Sequence, residues 1–340
     1  MGFRDSGFEV VAAVENNLSA AATFAQNFPS ATVYNRDVQY YRDVDNVDVV
    51  VGGPPCQGFS NLGLRDPKDP RNRMWRRYVR VVRKSDCSVF VLENVDRFAD
   101  SIETQALLRE AKPGGLLEGF TLEIYRLNSA DFGAPQRRLR TIIIGSRIGH
   151  IGAPKPTHSA TRADGLQPWR TVSDAIEDLD WTVEDTTLPD SVIEFAGKRI
   201  PGAFSLQDIH VGRRYTQLSL DRFAHVKEGG NRHDLPEELM SDCWKRHKTG
   251  SGDVMGRLEW DKPSVTVRTE FFKPEKGRYL HPHMDRALTH AEAARLQGFG
   301  DEFVWCGSKI QIAKMIGNAV PPPLAAAVAK QVAKILSAAN

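Results

Sequence analysis

Few cysteines, no long apolar run and almost no net charge: each shortage removes a class of protein. The 340 residues include only Cys56, Cys87, Cys243 and Cys306, far apart, with no C-x-x-C pair and no neighbouring histidine group. That spacing suggests neither a disulfide framework nor a structural zinc site. No stretch reaches the roughly 18–20 apolar residues that span a bilayer, and the N-terminus lacks the basic and apolar regions of a secretory signal. The chain therefore reads as cytosolic, with no membrane and no metal. Its 45 basic and 43 acidic residues leave a net charge of +2, so the total does not announce a nucleic-acid partner and the distribution must decide. There is no internal repeat and no low-complexity tract. What is present, 41% hydrophobic and 26% charged residues, is ordinary globular composition, at a length that suits two domains.

Residues 1–150 alternate short β-rich runs with helical stretches, the pattern of a parallel α/β sheet covered by helices on both faces. Strands are predicted over 9–15, 33–37, 47–52, 89–93, 121–127 and 140–145, several of them near-continuous apolar runs, as strands buried on both sides should be. Helices are predicted over 18–28 and 74–83. The second places Trp75, Tyr78, Val79 and Val82 on one face and leaves Arg76, Arg77, Arg80 and Arg83 for a basic outer side. From about residue 149 the alternation gives way to a proline- and glycine-punctuated stretch, read as a smaller domain over 151–285. Regular helical signals return within 286–340, which is read as a segment rejoining the first domain.

Four segments carry chemistry. In 48–63, DVVVGGPPCQGFSNLG, a buried strand ends in a Gly-Gly-Pro-Pro turn that displays Cys56 at the carboxyl end of the sheet, where open α/β folds keep their ligand sites. Cys87 and Cys306, by contrast, read as small buried apolar residues. In VFVLENV the carboxylate of Glu93 closes a strand of apolar residues, where burial without a partner or ligand is costly. In 135–145, PQRRLRTIIIG, alternation puts Gln136, Arg138 and Arg140 on one side of an entering strand, and two guanidinium groups there suit bidentate binding of phosphate or carboxylate. In 314–332 a Gly317-Asn318 turn precedes a proline-started helix. Taken singly, Glu93 reads as a capping or salt-bridged acid, and the arginines as an even choice between a ligand site and a solvated strand start.

In this order the four segments resemble the cytosine-C5 DNA methyltransferases: PPCQGFS, ENV, QRRLR and GNAVPPPLA match four signature blocks of that family. Weaker blocks agree at 170–176, 256–269 and 281–303, so the resemblance covers the chain except much of 180–255. It implies a Rossmann-like, S-adenosylmethionine-dependent mixed sheet with helices on both faces, plus a smaller target-recognition domain. It further implies Cys56 as the nucleophile that adds to cytosine C6, Glu93 as the acid at N3 and the exocyclic amine, and Arg138 and Arg140 near a flipped nucleotide. Glu15 matches the acid that takes the cofactor ribose and Asp37 the one that takes the adenine amino group, while Pro55, Met74 and Asn318 fall along the cofactor pocket. Gln57, Ser60, Asn94 and Gln136 fall where relatives meet DNA. The implied partner is double-stranded DNA, with a cognate restriction endonuclease beside it. An RNA cytosine methyltransferase on the same scaffold is the alternative, and a DNA-binding remnant without catalysis is another. The recognition region, about 180–255, carries interspersed Arg213, Arg214, Arg222, Arg232, Lys245 and Arg246, suited to phosphate and groove contacts.

One family block has no counterpart. Before GFEVV the family carries a strand and glycine-rich loop of the form D-L-F-x-G-x-G-G, and here DSGFEVVAAVEN follows Met1-Gly2-Phe3-Arg4 directly. The expectation is a sheet lacking its first, central strand, with Met1 an internal methionine of a longer protein. Joining such an extension to the chain is expected to tighten S-adenosylmethionine binding in calorimetry, and an unchanged affinity would count against this reading.

Overall fold

The computed structural model describes all residues except 43, 56–73, 162–164, 247–251 and 340. Near the N-terminus, β1 (Ala12–Val14) pairs in parallel with β2 (Thr32–Tyr34), joined by α1 (Leu18–Asn27), which Asn17 caps by accepting the Ala20 N–H. The larger sheet has the order β3-β4-β6-β5: β3 (Val49–Gly52), β4 (Val89–Val95), β5 (Thr121–Asn128) and β6 (Leu139–Ser146). β3 and β4 are parallel, and β6 is antiparallel to both β4 and β5.

The sheet is therefore mixed rather than uniformly parallel. A parallel β5–β6 pair would need a crossover of a dozen or more residues. The link here holds a short turn of 3-10 helix, Ser129–Phe132, and no α-helix, so β6 folds straight back on β5. Among the described residues no strand joins the β1–β2 pair to the larger sheet. β3 is an edge strand with Val51 53% exposed, in keeping with a sheet that lacks a central strand.

Strand alternation sorts the core into two layers. Phe90, Leu92 and Ile143 pack with Trp75, Tyr78, Val79 and Val82 of α2 (Met74–Lys84) and Leu107 of α3 (Ile102–Glu110). On the opposite face Val89, Val91, Ile142 and Ile144 pack with Leu324, Val328 and Val332 of the C-terminal helix, which occupies Pro322–Ala339. Helices thus cover both faces, and the apolar stripe expected of α2 is the one buried. Its basic side is only partly free: Arg77 pairs with Asp37, and Arg80 donates to the carbonyls of Val38, Gln39 and Tyr41.

Beyond β6 lie the short helices α4 (Ser173–Ile176), α5 (Gln217–His225) and α6 (Asp242–Arg246), then α7 (His290–Gln297), α8 (Lys309–Asn318) and the C-terminal helix, α9. A core including Val172, Ile176, Leu258, Val267, Leu296, Ile312 and Ile316 unites α4, α7 and α8 with the loops around them. Gly317-Asn318, expected as a turn, is instead the last pair of residues of α8. Ser308 and Gln311 form a capping box that starts this helix, and it stops before Pro321 because a residue preceding proline disfavours helical geometry. Asp37, expected to close its strand, caps a 3-10 turn over Val38–Tyr40 by accepting the Gln39 N–H.

Gly145 on β6 faces Phe90 on β4, and a Cβ there would lie 2.0 Å from the ring. Gly145→Ala is expected to cost about 1–3 kcal/mol through overpacking, read as a lowered denaturation midpoint. An unchanged midpoint would mean that the two core layers yield more freely than this packing implies.

Candidate active site

The site is built at the carboxyl ends of β3 and β4. Parallel pairing sets Gly52 against Leu92, so Gly53 falls beside Glu93, and a Cβ on Gly53 would stand 3.1 Å from Glu93 Oε2. With a side chain at this position the carboxylate would have to give way by a few tenths of an ångström, so glycine suits a turn this close over Glu93. Asn94, next on β4, donates from Nδ2 to the Pro54 carbonyl at 2.9 Å, and Tyr78 ties the two strands by donating to the Val50 and Val91 carbonyls. The turn is thus fastened to the strand that carries Glu93. Cys56, Gln57 and Ser60 lie outside the described residues; Pro55, the residue before Cys56, is exposed.

Glu93 pairs with Arg140 across the β4–β6 ladder, where Val95 faces Arg140 and Glu93 faces Ile142. This is a diagonal cross-strand neighbour, within reach of long side chains. Arg140 Nε stands 2.8 Å from Glu93 Oε1, with side chains 12% and 16% exposed. Burial pushes the Glu93 carboxyl above its ordinary value, against the pull of Arg140 and then of Arg138. The same burial pulls Arg140 down while Glu93 opposes it. Water is largely withdrawn from this acid and base, a setting that favours the protonated carboxyl over its ordinary balance.

Arg138 is 2% exposed. Its Nη1 donates to the Val267 carbonyl at 2.8 Å and its Nη2 to the Gly317 carbonyl at 2.7 Å, and burial brings its pKa down to about 9. Gln136 is fully buried too: it accepts the Val267 N–H, donates to the Leu296 carbonyl and pairs with Gln297. Gln297 in turn donates to the Ile316 and Ala319 carbonyls. The structure therefore gives Gln136 and Arg138 the work of joining the start of β6 to the 264–269 strap and the end of α8, with Gln136 in no position to meet DNA directly. The amide of Asn94 likewise holds the Pro54 turn. Sequence reasoning missed Gln297 and Tyr78; a polar residue at an apolar position of a helical repeat was the available signal for Gln297.

The acids assigned to the cofactor lie at the ends of two neighbouring parallel strands. Glu15 follows β1 and Asp37 follows β2, with Val14 facing Tyr34 in the ladder. Glu15 accepts the Asn17 N–H through one oxygen, and among the described residues its other oxygen has no hydrogen-bond partner; Asp37 is held by the Gln39 N–H and by Arg77. Two half-buried carboxylates, one directly after β1 and one capping the turn beyond β2, suit a sugar diol and an exocyclic amine, so these residues fit S-adenosylmethionine. Asn318 is exposed at the end of α8, which packs on α1, and Met74 opens α2. Among the described residues no group of histidine, cysteine and acidic side chains could hold a metal ion, and no helix is long and apolar enough to cross a membrane.

Within 180–255 two arginines serve the local core instead of an open surface. Arg222 donates to the Leu239 carbonyl and lies over Trp244, and Arg232 is buried. Of the cysteines among the described residues, Cys87 and Cys306 are buried with their thiols pushed up by burial, Cys306 to about 11, while Cys243 is exposed.

Replacing Arg138 by Met leaves two buried carbonyls without donors and is expected to cost about 3 kcal/mol or more of stability. Thermal or denaturant unfolding reads it out, and a variant as stable as the parent would remove Arg138 from the joint.

The profile of the C-5 cytosine-specific DNA methylase family matches residues 1–334. The Type II methyltransferase M1.HphI of Haemophilus parahaemolyticus is 35% identical over 98% of this chain and 83% of its own length. M.DdeI of Desulfomicrobium norvegicum is 29% identical over 97% of this chain and 85% of its own. Among solved structures, a prophage-encoded E. coli protein titled a DNA modification methyltransferase superposes with a TM-score of 0.70 at 24% identity, covering 99% of this chain and 95% of that one, a likeness of fold. The chain belongs to the C-5 cytosine-specific DNA methylase family, whose methyl donor is S-adenosylmethionine.

Proposed function

We propose that this protein methylates C5 of cytosine in duplex DNA, through a transient bond between Cys56 and C6 of a base turned out of the helix, as the modification half of a restriction-modification system with a cognate endonuclease. The observation that carries the reading is the Glu93–Arg140 pair lying under the Gly53–Pro54 turn that leads to Cys56. Cytosine C5 is a poor nucleophile until a thiolate adds to C6. Cys56 makes that addition, and Glu93, its proton favoured by burial, donates to N3 so that the ring accepts the sulfur. Arg140 orients the Glu93 carboxyl. S-adenosylmethionine, when bound, supplies an electrophilic methyl group. Glu15 and Asp37 are the residues to hold its ribose and adenine, with Pro55, Met74 and Asn318 along the pocket. Loss of the C5 proton then lets Cys56 leave. A base inside the stack is closed to attack from above and below, which is why the base has to turn outward.

Recognition of the target sequence is assigned to about 180–255 within 151–285. Residues 1–150, rejoined by 286–340, carry catalysis, with Gln57 and Ser60 toward the DNA. The type of the curated relatives, Type II methyltransferases, supports duplex DNA over RNA.

A labelled-methyl assay on duplex DNA and on transfer RNA tests this. Label is expected in duplex cytosines only, lost with Cys56→Ala. The rate should fall as pH rises through the raised Glu93 pKa, because the protonated carboxyl is the active form, and the Glu93→Gln variant should be slower and lack that alkaline limb. Label in RNA alone, or a fully active Cys56→Ala, would overturn the proposal.

A further inference from the structure

The outer side of the strand start that carries Arg138 and Arg140 is open to solvent. Gln136, Arg138 and Arg140 turn inward, so alternation turns Arg137 and Leu139 outward, and both are exposed. The backbone of Arg137 is pinned: its N–H donates to the Ser264 carbonyl at 2.9 Å, and its carbonyl accepts from Thr266 Oγ1 at 2.9 Å. Arg137 helps to line a cavity of about 230 Å³ together with Lys262, Arg278, Asp253, Glu259 and Val265.

The charges around that cavity are already matched, apart from one. Lys262 pairs with Glu259, and Arg278 pairs with Asp253 while donating to the Gly229, Gly230 and Arg257 carbonyls. Among the described residues the Arg137 side chain has neither a hydrogen bond nor an ion pair, which leaves one uncompensated cation in a recess walled partly by Leu258, Pro263 and Val265. Such walls strengthen its attraction for an anion relative to open water. At about 3.3 Å per extended residue, its backbone is roughly 10 Å along the chain from Arg140.

We propose that Arg137 binds a backbone phosphate of the DNA near the target nucleotide, with the 264–266 strap holding it in place before the duplex arrives. This rests on the reading of duplex DNA as substrate. The contact is one of position and not of sequence: a guanidinium on a phosphate fixes register and carries no base information. It also gives the exposed Arg137 a role distinct from that of its buried neighbours.

The test compares the full chain with Arg137→Gln and Arg137→Lys, titrated against a labelled duplex over a series of salt concentrations. Arg137→Gln is expected to bind about tenfold more weakly at low salt, and its slope of log affinity against log salt should be shallower by about one. Arg137→Lys should recover most of that slope. Melting temperature and S-adenosylmethionine affinity should be unchanged, because the side chain has no hydrogen-bond or ion-pair partner among the described residues. An unchanged salt slope in Arg137→Gln would overturn the phosphate contact. So would a loss confined to particular sequences, which would make Arg137 a base reader. If the unaltered chain neither binds nor methylates the duplex, the substrate reading fails instead, whatever the variants do.

Discussion

A carboxylate and a guanidinium, Glu93 and Arg140, meet at 2.8 Å with little water around either, and the arrangement of the site follows from holding them there. Withdrawing water from two charges is expensive, and their mutual attraction offsets the cost only where geometry is good. Here the backbone brings the two together: the β4–β6 ladder sets them on diagonal positions, and the Gly53–Pro54 turn closes over the acid. Arg140 keeps a charged Glu93 tolerable, while burial keeps a neutral Glu93 within reach. The balance of these opposing pulls leaves the carboxyl raised above its ordinary value.

That balance depends on parts far apart in sequence. Gln136 and Arg138 reach from the start of β6 to the 264–269 strap, α7 and the end of α8, and Gln297 carries the network to the first residue after α8. The C-terminal helix meanwhile backs the sheet through Leu324, Val328 and Val332. A strand whose inward residues are fixed in this way presents its outward ones, Arg137 and Leu139, without freedom to drift. The asymmetry of the QRRLR segment, buried joint on one side and exposed residues on the other, is a consequence of period-two alternation on a pinned strand.

Much of this was legible in the sequence, for identifiable reasons. The strand runs VDVVVGG and SVFVLENV, the stripe of Trp75, Tyr78, Val79 and Val82, and the sidedness of Gln136, Arg138 and Arg140 are local patterns that tertiary contacts reinforce. The antiparallel return of β6 was less visible, because it depends on the short link after β5. The helical ending at Gly317-Asn318 was masked by residues that usually mark turns. Which arginines face outward in 180–255 could not be read at all: Arg222 and Arg232 look like ligand residues by type and are held inside by Leu239, Trp244 and burial. The identity of a buried polar partner such as Gln297 depends on contacts across 161 residues of sequence, which no local pattern encodes.

Mass spectrometry of the protein after incubation with S-adenosylmethionine and a duplex carrying 5-fluorocytosine bears most directly on the pairing of Glu93 with the residue that follows Pro55. A covalent protein–DNA adduct mapping to the peptide that contains Cys56, and strongly reduced in Glu93→Gln, is the predicted result. An adduct at another residue, or one formed equally well without the Glu93 carboxyl, would contradict it.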